Sequence, residues 1–337
     1  MFRRRLCCCT TSCEDTSRPI AYVDKYATGA GDGTTWTDAY TTIQAAVTAH
    51  TSTHRIYIKG YGKADPYAED VVTTFGYVSI IGSSDWDEIW ATSFAVGAAS
   101  CLTLLNAENP SGRGIVAGDN SVFIDCGAED CGGAGLGPKI DTYSGEYLRC
   151  VAKNNTGEGF WGGGLFMECE SEGNTSSGFS FYAPSECIDC VSTSNLVGFY
   201  INNPATLLRC DAIGNTFYGF TVRIGKSFGT PPPFAVALTD CSAIGNDSHG
   251  YTDQSADPGV VTVSECIADG NSMHGYYPSN RAAMYLTDCD ASDNGECGYY
   301  DCYLVSGNTA SGNGGACAGI TYCDGTTDPC GVCDECP

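Results

Sequence analysis

Leu207-Leu208-Arg209-Cys210-Asp211-Ala212-Ile213-Gly214-Asn215-Thr216-Phe217-Tyr218-Gly219-Phe220-Thr221-Val222 is answered further on by Leu238-Thr239-Asp240-Cys241-Ser242-Ala243-Ile244-Gly245-Asn246-Asp247-Ser248-His249-Gly250-Tyr251-Thr252-Asp253. The two stretches share Leu, Cys, Ala, Asn, Gly and an aromatic at matching positions. Internal self-similarity of this kind is the signature of a repeat architecture, so we traced it through the chain before reading anything else.

Aligned on Cys126, Cys150, Cys169, Cys190, Cys210, Cys241, Cys266 and Cys289, every copy has Ala or Ser two residues on. Five residues after the cysteine stands Asn155, Asn174, Asn195, Asn215, Asn246, Asn271 or Asn294, with Cys131 in the first copy. A ninth copy contributes Asn308, Ala310 and Asn313. Glycine and then usually an aromatic follow, as in Gly159-Phe160, Gly178-Phe179, Gly250-Tyr251 and Gly298-Tyr299. Three residues before the cysteine runs a mostly apolar column: Phe123, Tyr147, Phe166, Cys187, Leu207, Leu238, Val263 and Leu286.

Each copy therefore offers three short inward-facing stretches separated by turns, which describes one coil of an all-β solenoid. Stacked coils lie about 4.8 Å apart, so identical residues form ladders along the axis. Asparagine and glycine suit left-handed turn geometry at the corners. Cysteine and alanine serve as small apolar fillers where the coil is narrow. Ladder side chains point in parallel, and free buried thiols are expected rather than disulfides.

This pattern of columns resembles the right-handed parallel β-helix repeat family, shared by pectate-lyase-like enzymes and phage tailspikes. The resemblance covers residues 121–316 and is specific for the fold, not for an activity. Before it, residues 20–120 read as a cap and early irregular coils. Thr37 to Val47 has the apolar spacing of a short amphipathic capping helix, and Ile56-Tyr57-Ile58, Val78-Ser79-Ile80-Ile81 and Cys101-Leu102-Thr103-Leu104-Leu105 read as strands. Residues 1–19 form a Cys- and Arg-bearing attachment segment, and 317–337 a Cys-rich C-terminal cap.

A net charge of −24 over 337 residues repels nucleic acid and anionic membranes. No apolar run is long enough to span a bilayer. Arg3-Arg4-Arg5 begins like an export signal, but Thr, Ser, Cys, Glu and Asp follow where apolar residues are needed, so no signal peptide is expected.

Four sets of residues are candidates for chemistry. The charged column before each cysteine, Asp125, Arg149, Glu168, Asp189, Arg209, Asp240, Glu265 and Asp288, would space carboxylates near ~5 Å, about the separation of a retaining glycosidase. Any acidic solenoid does this automatically, so a solvated or calcium-binding face is the expectation and no catalytic residue is assigned. The residue after each inward aromatic should face out, giving an exposed row of Trp161, Tyr200, Tyr277 and Tyr300 as a ligand or subunit surface. The coil from Cys210 to Cys241 is the longest and holds Phe228 and Phe234 in a proline-stiffened loop, a second candidate for the same role. Cys323, Cys330, Cys333 and Cys336 have spacing that suits zinc, disulfides or free thiols. His249 and His274 share one repeat position and read as turn residues.

The resemblance to phage tailspikes implies a virion structural protein, a tail spike, fibre or capsid decoration assembled in the host cytoplasm. It would join other virion proteins through its N-terminal segment, form a homotrimer and contact host glycan, with no cofactor required. The alternative on the same fold is a polysaccharide lyase or glycoside hydrolase.

Overall fold

The computed structural model of the chain describes residues 17–50, 54–73, 78–82, 88–138, 140, 144–224, 235–255, 260–278, 283–314 and 322–323. They form an all-β, right-handed parallel β-helix of about 11 turns. Every pairing between its strands is parallel, from one coil to the next.

Three faces run along the axis. The first carries the column before the cysteine: Ala205–Leu208 pairs with Ala235–Thr239, which pairs with Val260–Ser264. The second holds three-residue strands such as Asp211–Ile213 and Ser242–Ile244, whose central alanines face in. The third carries the aromatics, with Tyr218–Val222 pairing Tyr251–Asp253. In two short coils no loop separates third face from first, and Phe160–Met167 and Ser177–Ile188 run round the corner without a break.

The aromatic column forms a continuous buried stack. Phe160, Phe179, Phe199, Phe220, Tyr251 and Tyr276 follow one another with centroids 4.8 Å apart and planes within 4° to 6°. Such pairs add about 0.5–1.5 kcal/mol each beyond the area they bury. Where the stack changes to tyrosine, each hydroxyl finds a corner carbonyl: Tyr251 donates to Cys241 O (2.7 Å) and Tyr276 to Cys266 O (2.8 Å).

The asparagines lie inside the coil, fully buried. Each accepts a hydrogen bond at Oδ1 from the backbone N–H of the asparagine one coil earlier, at 2.8 to 3.1 Å from Asn155 through Asn313. Its Nδ2 donates back to a carbonyl of that earlier coil, as Asn246 does to Ala212 O (3.1 Å). The left-handed residue is instead the one before it: Asp130, Asn154, Ser194 and Asp293, or glycine at 173, 214, 245, 270 and 312.

The eight cysteines of the column, Cys126 to Cys289, are free, buried thiols, and they do more than fill space. Cys241 Sγ accepts the N–H of Cys210 (3.5 Å), and Cys266 Sγ that of Cys241 (3.3 Å). Cys150 and Cys169 donate to Phe123 O (3.5 Å) and Tyr147 O (3.3 Å), one coil back. In the ninth copy Asn308 takes the same place, accepting from Cys289 N (3.0 Å) and donating to Leu286 O (3.0 Å). Thiol and amide thus perform one task. Burial pushes Cys150 and Cys190 well above the usual thiol range and Cys289 up to about 11.

Glycine before the aromatic is required by space rather than by a corner. Its φ is not positive, but a Cβ on Gly219 would lie 2.6 Å from Gly250 O and 3.0 Å from Asn246 Nδ2.

The helix spans Ile43–His50 and buries Ile43, Ala46 and Val47 against the early coils. The Glu69 carboxylate accepts from Ile43 N (2.7 Å) and Gln44 N (2.9 Å), satisfying its first turn. The early strands are Arg55–Ile58, Ser79–Gly82 and Cys101–Thr103, in the expected places.

Replacing Asn215 with Ala strands the N–H of Asn195 and the carbonyl of Ser192, so a loss of about 2–4 kcal/mol is expected in urea unfolding. At the cysteine column the hydrogen-bonding role predicts that Cys241→Ser is more stable than Cys241→Ala. A purely space-filling sulfur would give the reverse order.

Candidate functional site

The row expected to be exposed on the third face is not uniform. In register it reads Trp161, Ser180, Tyr200, Thr221, Thr252, Tyr277. Trp161 is buried, only 2% exposed, against the expectation. Gly137 in the preceding coil leaves room for the indole, which donates from Nε1 to Pro138 O (3.1 Å) and is covered by the Arg113 guanidinium 4.8 Å from its ring. Ser180, Thr221 and Thr252 are buried too. Tyr200 is half-buried beside Tyr182, their centroids 6.3 Å apart.

Tyr277 and Tyr300 come together with the two histidines. His249 stacks on His274 (5.1 Å), Tyr277 lies against both (4.4 and 5.1 Å), and Tyr300 against His274 (4.8 Å). Tyr218 extends the pile beyond His249. The ring faces cover one another, and Tyr277 and Tyr300 stay half-buried. Neither hydroxyl bonds to any described residue.

The histidines are fixed by the backbone. His249 Nδ1 accepts from His274 N (3.3 Å) and His274 Nδ1 from Cys297 N (3.1 Å), which leaves the ring proton on Nε2. His274 Nε2 meets Glu296 Oε2 at 3.0 Å. Burial lowers His249 to about 4, reinforced by His274, and lowers His274 against the pull of Glu296. Among the described residues no group of His, Cys, Asp or Glu could hold a metal ion.

The charged column occupies a corner in the left-handed region, with φ between 50° and 55° at all eight positions. Arg149 grips Asp125 through two bonds (2.7 and 2.8 Å), and Arg209 grips Asp189 likewise (2.6 and 2.7 Å). These side chains are exposed on the corner rather than gathered in a pocket. An open groove of about 360 Å³ lies elsewhere, on the first face, lined by Asn120, Val122, Ser144, Gly145, Glu146, Gly164 and Leu165. Glu146 is its one carboxylate.

Two clusters went unread in the sequence. Asp24 is buried and held by Lys59 (3.2 Å), the Tyr61 hydroxyl and Tyr26 N (2.9 Å), with Lys25 packed against Tyr26, Tyr61 and Tyr67. Tyr285 and Tyr303 stack at 5.2 Å on the outer first face. Alternation along their strands was the available signal. Phe228, Phe234, Cys330, Cys333, Cys336 and the side chain of Cys323 lie outside the described residues, as do residues 1–16 of the N-terminal attachment segment.

No family model matches the chain, and no curated protein does. Among solved structures it is similar to the A-module of mannuronan C-5 epimerase AlgE4 from Azotobacter vinelandii, with a TM-score of 0.50 and 13% identity over 80% of this chain and 83% of that one. It is also similar to pectate lyase Pel9A (TM-score 0.49, 14% identity, 92% and 79% covered). A third is the catalytic domain of a GH87 α-1,3-glucanase in complex with nigerose (TM-score 0.45, 10% identity, 79% and 67% covered). At these identities the likeness defines a fold: the chain is a parallel β-helix protein.

The histidine stack makes stability depend on pH with a definite sign. With His249 at its ordinary 6.5 when unfolded and about 4 when folded, its contribution is complete above about pH 6.5 and lost as pH falls toward 4. The full loss is up to about 3 kcal/mol. His249→Gln should therefore lose less stability than the parent chain between pH 7 and pH 4, measured by urea midpoints. Equal losses would contradict a buried neutral imidazole.

Proposed function

We propose that this chain is a glycan-binding β-helix without a catalytic role, displayed on a virion as a spike, fibre or decoration. The observation that carries the binding reading is the shelf of Tyr277, Tyr300, His249 and His274. The phenols of two half-buried tyrosines and a His274–Glu296 pair on a rigid sheet supply donors and acceptors for sugar hydroxyls. Rigid rings lose little side-chain freedom on binding.

The enzymes of similar fold, an epimerase, a lyase and a glucanase by their names, make a sugar chain a natural ligand for this architecture. A hydrolase would need two carboxylates facing one bond. In this chain the groove holds Glu146 alone, Asp125 and Asp189 are engaged by arginines, and Asp240, Glu265 and Asp288 stand exposed on the open corner outside that groove. The virion setting draws its support from the resemblance of the coil pattern to phage tailspikes. A homotrimer joined to the particle through residues 1–19 belongs to the same proposal.

The test is a glycan panel presented to the full chain, scored for binding and for chain length of the sugar. The expected outcome is retention of intact glycan, weakened at least ten-fold by Tyr277→Ala with unchanged thermal unfolding. Shortened or unsaturated products would replace this reading with the enzymatic one.

A further inference from the structure

We infer that Arg223, set between Asn202 and Gln254 on neighbouring coils, is a subsite for an acidic group carried by the bound glycan. The group is a carboxylate, sulfate or phosphate on an otherwise neutral sugar chain. This deepens the glycan-binding reading and rests on it.

The site is built at the end of the third face. Backbone bonds from Asn202 N to Phe181 O (3.1 Å), Arg223 N to Ile201 O (2.8 Å) and Gln254 N to Val222 O (2.7 Å) set Tyr182, Asn202, Arg223 and Gln254 side by side on successive coils. Each follows a buried inward residue, Phe181, Ile201, Val222 or Asp253, so the four side chains turn outward. Arg223 is exposed, and Asn202 and Gln254 are half-buried. Among the described residues the side chains of these three make no hydrogen bond or ion pair, whereas Arg149 and Arg209 grip Asp125 and Asp189. Coils lie about 4.8 Å apart, so an amide, a guanidinium and a second amide stand in a row with their donors unspent.

A guanidinium presents a planar fork that matches the paired oxygens of a carboxylate, sulfate or phosphate. The flanking amides add neutral donors for the third oxygen or for a sugar hydroxyl. No carboxylate of the row competes for Arg223: Asp253 beside it turns inward and is fully buried, and Glu158 accepts from the Tyr182 hydroxyl (3.5 Å). The row also lies in line with the shelf. Thr221 pairs with Thr252 and Thr252 with Tyr277, so Arg223 stands two coils, about 10 Å along the axis, from Tyr277. A sugar chain laid along the coils from Tyr277 passes over Gln254 and Arg223 and on toward Tyr200. The field of a chain with net charge −24 works against a ligand acidic at every residue, and it leaves an isolated acid, met by Arg223 at close range, as the better match.

The experiment uses the full chain with EDTA present, so that no bridging cation can stand in for the arginine. The probes are a neutral glucan oligosaccharide, the same oligosaccharide bearing one uronate, one sulfate or one phosphate, and an oligogalacturonate of equal length. They are titrated at low and high salt against the parent, Arg223→Gln, Arg223→Lys and Tyr277→Ala. The expected result is that a singly acidic oligosaccharide binds about ten-fold more tightly than the neutral one, and which of the three does so identifies the acid. Arg223→Gln should remove that preference with neutral-chain affinity and thermal unfolding unchanged, Arg223→Lys should keep part of it, and high salt should narrow it in the parent. Tyr277→Ala should weaken neutral and acidic chains together. A preference that survives Arg223→Gln, Tyr277-dependent binding that ignores the acid, or tightest binding of the oligogalacturonate would overturn this inference while leaving the glycan reading intact. Binding of no member of the set would overturn the glycan reading itself.

Discussion

In the regular coils the backbone N–H at the asparagine corner, and in several of them the N–H at the cysteine corner, points into the helix away from its strand partners. An inward N–H without a partner is expensive, about 1–3 kcal/mol for each. The side chain of the next coil provides the acceptor, as the Asn246 amide does at one corner and the Cys241 thiol at the other, and the same side chain donates back, Asn246 to Ala212 O and Cys241 to Leu207 O. All other features of the fold follow from keeping those columns in register. Glycine opens room for the asparagine, alanine leaves space opposite it, and the aromatic stack fixes the coil repeat at ring-stacking distance.

The outside of the same corners is left-handed, and here the chain uses charged residues. Arg149, Glu168, Arg209 and Glu265 adopt a conformation that ordinarily favours glycine or asparagine, at a cost of about 1 kcal/mol or more each. Bidentate pairing of Arg149 with Asp125 and Arg209 with Asp189 recovers part of it. Exposed pairs of this kind contribute modestly. The corner column is therefore best understood as the outer side of a structural device, which also explains why its acids need no common substrate.

The coil and its three faces were legible in the sequence because period and residue type coincide: Cys, Ala, Asn, Gly and Phe or Tyr each occupy one place. The role of the cysteines was less so. Asn308 standing in the cysteine column was the available clue that sulfur and amide act alike, but the shared bonding becomes evident only once the coils are stacked. Trp161 was misplaced because alternation along a strand gives direction and not depth; its cover comes from Arg113 and the space above Gly137, which belong to earlier coils. His249 and His274 were visible as one repeat position, yet their contact with Tyr277 and Tyr300 crosses both coil and strand, a diagonal that no column records.

Amide hydrogen exchange on the intact chain addresses the interior ladders most directly. If side chains of successive coils hold the corner N–H groups, those of Asn174, Asn195, Asn215 and Asn246 exchange as slowly as the amides of the strands beside them, near the limit set by global unfolding. Exchange at those asparagines as fast as at the exposed turn residue Phe217, whose N–H meets no acceptor among the described residues, would contradict the account.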